Sequence, residues 1–280
     1  MLKLTSYGEV TRIDSARSMF GRGYYWTTAY LVDGLLVDTG CAHSSHELLE
    51  KLRGRRLITL LNTHSHEDHI GANGILQSQW KGIQVLAHPL ALPVLKQPRE
   101  AQPLQFYRRL FWGWPMPSEG QPVSDGQLIE TENHRFQVMY TPGHSRDHIC
   151  LYEPEHGWLF TGDLFIGGRD RGLRSDSDIW GIIASLKRVQ SLPLERLFPG
   201  CARIRDNPKQ EITAKIAYLE QTGEKVMELN DQGLDPEAIA RSIFGGPMFI
   251  ELLTMGDFSR VGLVKSYLRQ KDQNGGAIQA

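Results

Sequence analysis

Cysteine, long apolar runs and net charge are all scarce in this sequence of 280 residues. Its three cysteines are an odd number and lie far apart, which argues against a disulfide framework and favours reduced thiols in the cytoplasm. No run reaches the roughly 18 apolar residues of a membrane helix, and the N-terminal segment lacks the apolar core of a signal peptide. With 31 basic and 32 acidic residues, the formal charge of −1 gives no electrostatic reason to expect nucleic-acid binding, although a local basic patch stays open. We therefore expect a cytoplasmic globular protein with no membrane partner.

The order of predicted elements indicates a strand-rich domain followed by helices. Short β-prone runs and a strong Asp33-Gly34 hairpin signal open the chain, and strands then alternate with helices. This order occurs twice, which favours two packed sheets with helices outside. Helical patterns resume further on, at 208–230, 236–244 and 259–269. We expect one domain over 1–207 and a C-terminal helical segment over 208–280, and the sequence leaves the oligomeric state open.

Residues 96–122 interrupt this order. Five prolines lie from Pro98 to Pro122, and five aromatic rings crowd among them, at Phe106, Tyr107, Phe111, Trp112 and Trp114. Because such proline density blocks long regular elements, we predict an inserted, partly helical lid. Its rings, Trp112 and Trp114 in particular, either contact a substrate or pack as a small core beneath the loop.

Three imidazoles and two carboxylates lie within six consecutive residues, in the run His64-Ser65-His66-Glu67-Asp68-His69. The run follows the mostly apolar segment 57–61, which has the length of a buried strand. A strand end passes the chain to a loop, where several side chains can converge on one point. Imidazole and carboxylate are ligands that suit a borderline divalent metal such as zinc, whereas a single histidine would favour a solvated loop. The spacing therefore predicts a metal site.

Two more polar residues follow predicted strands in the same way. His144 comes shortly after the strand 136–140, and Asp163 comes shortly after the strand 158–160. Each residue alone is typical of an ordinary turn. Their shared placement at strand ends indicates that both belong to the metal site.

Together these motifs resemble the ordered signature of the metallo-β-lactamase fold superfamily. The resemblance covers about residues 1–205 and is carried by Val37-Asp38-Thr39-Gly40, His64-x-His66-x-Asp68-His69, Pro142-Gly143-His144 and Gly162-Asp163. It implies a four-layer αββα sandwich with the site at one edge, here with a C-terminal helical appendage. It also implies a ligand set: His64, His66 and His144 for a first metal, Asp68 and His69 for a second, and Asp163 bridging the two. The sequence is most similar to the branch that includes glyoxalase II-type thioesterases and lactamase-like endoribonucleases.

The sequence departs from the family pattern at the last ligand. The family supplies a His in a Pro-Gly-His segment after a late strand, but here the segment reads Phe198-Pro199-Gly200-Cys201. A Cys thiolate is a competent zinc ligand, so Cys201 either completes the second metal site or is an inert thiol beside a weak second site.

The remaining histidines have less specific contexts. His148 begins the strand after the His144 loop, and it either supports a metal ligand from behind or contacts the substrate. Four others are expected to be solvated: His43, His46, His134 and His156.

The resemblance implies metal-assisted hydrolysis, in which a metal-bound hydroxide attacks the substrate and Asp68 orients the water or handles its proton. The expected cofactor is a divalent metal, zinc first, with one or two ions per chain and with iron or manganese as alternatives.

Three classes of function compete. Near-neutral charge and the aromatic insertion favour hydrolysis of an ester, a thioester or a related small substrate. A phosphodiesterase or endoribonuclease would need a basic track near the site, for which the sequence offers only scattered arginines: Arg108, Arg109, Arg169, Arg171 and Arg174. The third class is a binding module or an iron-dependent redox protein of the same fold, to which only Cys201 points.

Overall fold

The computed structural model describes residues 1–275, which form two compact units. Unit 1 contains Met1–Tyr140, Asp147–Ile166 and Pro193–Pro208, and unit 2 contains Thr141–Arg146, Gly167–Leu192 and the chain from Lys209 onward. Two segments that the sequence placed within 1–207 thus cluster with the C-terminal helices.

The first of these segments, 141–146, is bonded to the chain near residues 178–185. Oγ of Ser185 donates a hydrogen bond to the carbonyl of Pro142 at 2.7 Å, and the backbone N–H of Asp178 donates to the carbonyl of Gly143 at 2.7 Å. A side chain at Gly143 would collide with the backbone of Ile182, because a Cβ there would lie 2.2 Å from the Ile182 nitrogen. This close approach explains why the loop belongs to unit 2.

Two sheets make up most of unit 1. The strands of the first sheet are β1 (Leu2–Tyr7), β2 (Val10–Met19), β3 (Arg22–Val32), β4 (Leu35–Val37), β5 (Thr59–Leu61), β6 (Gln84–Ala87) and β7 (Gln121–Pro122). The second sheet contains β8 (Leu128–Glu130), β9 (Arg135–Tyr140), β10 (Ile149–Glu153), β11 (Trp158–Gly162) and, after the short β12 (Leu173–Arg174) of unit 2, β13 (Arg196–Pro199). The first sheet follows chain order, antiparallel up to β4 and parallel from β4 to β7. The second has the order β13-β11-β10-β9-β8, and only its β11–β13 pair is parallel.

The two sheets share one apolar core. Alternate side chains of each strand point to the same face, so the inner faces of both sheets can be buried against each other. Val32 of the first sheet and Val138 of the second belong to this core. At its centre the ring of Tyr30 packs edge-on against Phe160 and Phe198, with centroids 5.5 Å and 5.3 Å away.

Helices cover the outer face of the first sheet. The helices of unit 1 are α1 (Ser45–Leu52), α2 (Asn73–Gln79), α3 (Leu92–Lys96), α4 (Pro98–Ala101) and α5 (Phe106–Phe111). Leu48 and Leu52 of α1 join Leu76 of α2 in a second core against Leu36 and Leu60 of the sheet. Unit 1 therefore contains a helical layer and two sheets, which are three of the four layers that the sequence predicts.

Unit 2 is mainly helical. Its helices are α6 (Ile179–Gln190), α7 (Pro208–Asp231, whose first residue lies in unit 1), α8 (Pro236–Phe244), α9 (Phe249–Leu253) and α10 (Arg260–Gly275). Two short strands, β12 and β14 (Phe258–Ser259), pair within it. Asp235 caps α8 by accepting a hydrogen bond from the Ala238 N–H at 2.7 Å, with Pro236 in the first turn as the sequence predicts. Within residues 1–275, no helix has the length and apolar character that spanning a bilayer requires.

Candidate metal centre

The histidine run lies in a loop at the end of β5. This strand pairs in parallel with β4 and β6, so the carboxyl ends of three strands meet at one edge of the sheet, where ligand sites of mixed sheets commonly form. His64 and His69 are fully buried, His66 is buried, and Asp68 keeps a small exposed fraction. The run is therefore not a solvated surface loop.

Asp38 holds this loop in place through hydrogen bonds to Thr63 and a close contact with His69. It follows β4 with a left-handed backbone, φ 61°, and its buried carboxylate accepts hydrogen bonds from the N–H and the hydroxyl of Thr63, both at 2.8 Å. Nδ1 of His69 lies 2.7 Å from the same carboxylate. A proton held on Nδ1 leaves the Nε2 lone pair of His69 free for a metal. The sequence names Asp38 only as part of the family motif; its position after the strand next to β5 is the signal for this role.

A buried amide network fixes the backbone at the other end of the run. The carbonyl of His69 accepts hydrogen bonds from the N–H of Thr39 at 2.8 Å and from the side-chain amide of Asn62 at 3.3 Å. Asn73, in the first turn of α2, donates to the Asn62 side chain at 2.7 Å and accepts from the Thr39 hydroxyl at 2.8 Å. Such a network preorganises the ligands before any ion binds.

The group around His69 fits a metal ion. Its buried Nε2 makes no hydrogen bond within the described part of the chain, and lies 3.6 Å from Oδ1 of Asp163 and 3.7 Å from Oδ2 of Asp68. These distances are too long for hydrogen bonds. Two ligand atoms that each lie about 2.1 Å from a tetrahedral zinc are roughly 3.4 Å apart. The two separations measured from Nε2 of His69 are close to this value. His64 completes the group, because the ligand atoms of His64, His69 and Asp163 lie within 4.8 Å of one another.

The charge of this group also calls for a cation. Burial raises the pKa of Asp68 to about 7, and the negative charges of Glu67 and Asp163 add to that effect against the attraction of His69. Burial alone would lower the pKa of His69, but the carboxylates of Asp38, Asp163 and Asp68 outweigh it and raise that pKa well above its ordinary value. Three carboxylates thus surround one buried imidazole. A divalent ion would neutralise this excess of negative charge.

His148 lies behind the bridging candidate Asp163. Its side chain is 0% exposed, and its Nε2 accepts a hydrogen bond from the backbone N–H of Asp163 at 3.1 Å. Its ring also lies 5.2 Å from that of His64. Full burial and this hydrogen bond favour the supporting role over direct contact with a substrate.

The two other histidines of the implied first metal set lie in different units. In unit 1, Nε2 of His64 lies 2.9 Å from Nδ1 of His66. In unit 2, His144 lies on the loop that follows β9, and its carbonyl accepts a hydrogen bond from the Ser177 hydroxyl at 2.8 Å.

Cys201 follows Gly200, whose backbone lies close to His69 and Asp163. A Cβ at Gly200 would lie 2.8 Å from Cε1 of His69 and 2.9 Å from Oδ1 of Asp163, and the Gly200 N–H donates to the carbonyl of Gly162 at 2.8 Å. The Cys201 thiol is partly exposed. Among the described residues it does not belong to a group of three ligand atoms within 4.8 Å of one another, so its ligation stays a prediction.

A buried ion pair links the metal loop to the insertion. Arg108 of α5 donates two hydrogen bonds to the carboxylate of Glu67, one of them at 2.7 Å, and the two side chains are only 3% and 1% exposed. Glu67 lies between His66 and Asp68 in the sequence, so this contact ties the insertion to the two residues implied as ligands. Arg108 is therefore not part of an exposed basic track, and the sequence did not indicate this pairing.

The aromatic residues of the insertion pack on β3 and on one another. Phe111 is buried and its ring centroid lies 4.3 Å from that of Tyr25, while Trp112 is half-buried and donates through Nε1 to the Tyr25 carbonyl at 3.4 Å. Trp114 is half-buried with Arg99 over its ring, 5.6 Å from the centroid. Both tryptophans thus keep an exposed portion.

Of the four histidines expected to be solvated, three are exposed and one is not. His134 is buried, so that expectation is wrong for this residue. Its ring packs against Phe136 and Trp158 at the start of β9, with centroids 5.8 Å and 5.4 Å away.

The sequence model of the Metallo-beta-lactamase superfamily matches residues 27–201, which is more than half of the chain. The chain therefore belongs to the metallo-beta-lactamase superfamily. The family implies a divalent-metal centre, which agrees with the fit described above.

The curated relatives include a thioesterase and a hydrolase by name. The chain is 28% identical over 197 residues to the atrochrysone carboxyl ACP thioesterase of Aspergillus fumigatus, covering 69% of this chain and 55% of that protein. It is 30% identical over 179 residues to the hydroxyacylglutathione hydrolase of Legionella pneumophila, covering 63% of this chain and 60% of that protein. The chain thus spans less than two thirds of the length of these relatives.

Solved structures confirm the fold, including the C-terminal helices. A metallo-beta-lactamase family protein of Thermus thermophilus aligns with a TM-score of 0.65 over 89% of each chain, at 21% identity. TTHA1623, solved in a di-iron-bound form, aligns with a TM-score of 0.54 at 32% identity, covering 68% of this chain and 94% of that one.

Proposed function

We propose that this protein is a metal-dependent hydrolase of thioesters or related small esters. The observation that carries the proposal is the buried, anionic group of His69, Asp68 and Asp163, whose spacing and charge fit a divalent ion. Its superfamily and the thioesterase and the hydrolase among its relatives favour hydrolysis as the use of that ion.

We propose the ligand set that the family resemblance implies. His64, His66 and His144 would hold a first ion, and Asp68 and His69 a second, with Asp163 shared between them. Cys201 would complete the second set as a thiolate. Zinc suits this mixture of imidazole, carboxylate and thiolate, although the di-iron form of one relative makes iron the alternative to test.

A bound divalent ion would supply an activated water and a Lewis acid for the substrate carbonyl. The residues of the chain do the positioning. Asp38 holds the tautomer of His69, and His148 holds the backbone of Asp163. Asp68 lies 3.7 Å from Nε2 of His69 and keeps a small exposed fraction, so we assign to it the orientation of the attacking water and the acceptance of its proton.

The choice of substrate rests on the surroundings of the site. A nuclease would need a track of exposed basic residues, but Arg108 is buried in an ion pair with Glu67 and cannot contribute to one. This favours a substrate with an uncharged acyl group over a phosphodiester substrate. The half-buried Trp112 and Trp114 offer apolar surface for such an acyl group. None of the three cysteines belongs to a disulfide, which fits a reducing compartment, so we propose a cytoplasmic location.

A substrate panel tests the proposal. The purified protein, loaded with zinc or with iron, is assayed on an acyl-glutathione, an acyl-coenzyme A, a nitrophenyl ester and bis(nitrophenyl) phosphate. We expect turnover of a thioester above that of the phosphodiester, and a loss of about 10²–10⁴-fold in Asp68→Asn with the melting temperature retained. The matched control is Asp235→Asn, because Asn caps a helix as well as Asp does. Turnover of the phosphodiester alone, or turnover unchanged in Asp68→Asn, would contradict the proposal.

A further inference from the structure

A second group of histidines and a carboxylate lies at the other end of the second sheet. His134 immediately precedes β9, Glu153 ends β10, and His156 lies in the turn before β11. The opposite ends of β10 and β11 carry His148 and Asp163. Since β10 has five residues and a strand rises about 3.4 Å per residue, roughly 17 Å separate the two ends. The group is therefore distinct from the candidate metal centre.

The carboxylate of this group is buried without a permanent cation. The Glu153 side chain is 1% exposed, and no Lys or Arg of the described chain pairs with it. Its partners are Nδ1 of His134 at 3.4 Å, Nδ1 of His156 at 3.2 Å and the backbone N–H of His156 at 2.7 Å. A buried carboxylate needs a compensating positive charge, and neutral imidazoles do not supply one.

The geometry of the group matches a metal site. The ligand atoms of His134, Glu153 and His156 lie within 4.8 Å of one another. Nδ1 of His134 lies 3.4 Å from Oε1 of Glu153 and Nδ1 of His156 lies 3.2 Å from Oε2, so each imidazole is about one edge of a zinc tetrahedron, roughly 3.4 Å, from a carboxylate oxygen. Two imidazoles and one glutamate are also a common set of three zinc ligands, with the fourth position left to water.

The surroundings support the two imidazoles. Nδ1 of His134 faces Glu153, while its Nε2 lies 3.6 Å from the carboxylate of Glu9, which is too far for a hydrogen bond. The ring of His156 stacks on Trp158 with centroids 4.5 Å apart and an angle of 24°. The His156 side chain is 41% exposed, so an ion can reach the group from solvent.

The adjacent surface attracts cations. A depression of about 610 Å³ borders His134 and Glu153, and its lining contains three more glutamates. Glu130 pairs with Arg135 and Glu132 with Arg56, so Glu155 and Glu153 are the lining carboxylates for which the described residues supply no Lys or Arg partner. Excess negative charge around a concave surface raises the local concentration of cations.

We propose that His134, Glu153 and His156 form a distal metal site that binds one zinc ion, with water as the fourth ligand. The ion compensates the buried charge of Glu153 and joins the turn before β9 to the turn between β10 and β11. The site needs neither the ligands of the candidate metal centre nor hydrolytic activity.

Metal stoichiometry tests the distal site directly. Wild type, His156→Ala and Glu153→Gln are dialysed to equilibrium against the same free zinc concentration, and zinc per chain is measured by mass spectrometry. We expect one zinc ion fewer per chain in both variants. His46→Gln is the matched control, because His46 is an exposed histidine outside both sites and should leave the count unchanged. His156→Ala keeps the test valid if Glu153→Gln does not fold.

A spectroscopic readout separates the two sites. Co²⁺ bound at the distal site lies beside Trp158 and should quench its fluorescence in wild type and in His64→Ala, but not in His156→Ala. Subtraction of the signal of Trp158→Phe isolates this ring from the other five tryptophans. If zinc count and quenching are both unchanged in His156→Ala, the distal site is wrong, and protonated imidazoles compensate Glu153. Neither readout uses hydrolysis, so this outcome leaves the proposed function untouched.

Discussion

The two histidine–carboxylate groups of unit 1 differ in how their residues are supported. At the candidate metal centre, the buried Asp38 holds the side chain of His69, while the buried pair of Asn62 and Asn73 holds its carbonyl. At the distal site, Glu153 contacts two imidazoles and one N–H, and one of its imidazoles lies at the surface. A supported site holds its geometry without an ion, whereas the distal group should depend on the ion for its order.

Removing a metal ligand of the candidate metal centre should have the largest effect, because that centre should lose metal while the distal site keeps its zinc. His64→Ala and His144→Ala should each remove most of the metal bound at the candidate metal centre and leave one zinc at the distal site, because a three-ligand set loses affinity steeply when one ligand is removed. Metal analysis of the purified variants measures this. Wild-type stoichiometry in both variants would contradict the assignment.

The buried pair between the insertion and the metal loop should show the next largest effect. Arg108→Met leaves Glu67 buried and unpaired, which costs about 3–5 kcal/mol. Unfolding in urea should detect this loss, and Glu67→Gln/Arg108→Met should be less destabilised than the two single changes together. Arg109→Met is the matched control, since Arg109 is the exposed neighbour on the same helix. Equal stability of the Arg108 and Arg109 variants would show that the pair contributes nothing.

Changing Asp38, which supports His69 but is not itself a ligand in the proposed set, should lower metal affinity less than removing a ligand does. Asp38→Asn presents an amide to Nδ1 of His69 and favours a proton on Nε2, where the metal should bind. Comparable changes behind a metal ligand lower metal affinity or activity about 10–100-fold. Competition with a zinc indicator gives the affinity, and the distal zinc should remain. An unchanged affinity would show that the carboxylate of Asp38 serves folding alone.

The smallest effect on stability should come from the two half-buried tryptophans of the insertion. Trp112→Ala with Trp114→Ala should raise KM for an acyl substrate while hardly moving the melting temperature, because both rings are half-buried. A thermal melt and steady-state kinetics measure the two effects. A loss above about 8 °C, equivalent to a few kcal/mol in a chain of this size, would favour core packing instead.

Much of the fold follows from local patterns in the sequence. The apolar segment 57–61 predicts a strand that ends at the histidine run, and β5 lies at Thr59–Leu61. The Asp-Pro pair predicts a helix over 236–244, where α8 lies. The β-prone runs at the start of the chain do not show where the first strands end: β2 reaches Met19 and β3 begins at Arg22, because the positive φ of Phe20 and Gly21 makes a tight turn within a polar stretch.

The supporting contacts could not be predicted in the same way. Arg108 and Glu67 are 41 positions apart, and no local pattern in either segment indicates the other. The distal group brings together residues from separate turns, each of which is typical of a surface loop on its own. Periodicity reports which face of an element is buried, but it does not report which polar partners meet there.

Gly200 limits how this site could evolve. Any side chain at that position would collide with His69 and Asp163, whereas the next position carries the partly exposed Cys201. Variation in the chemistry of the second metal should therefore arise at residue 201 and not at residue 200. A saturation library of both positions, sorted by retained metal, should accept several residues in place of Cys201 and only glycine before it.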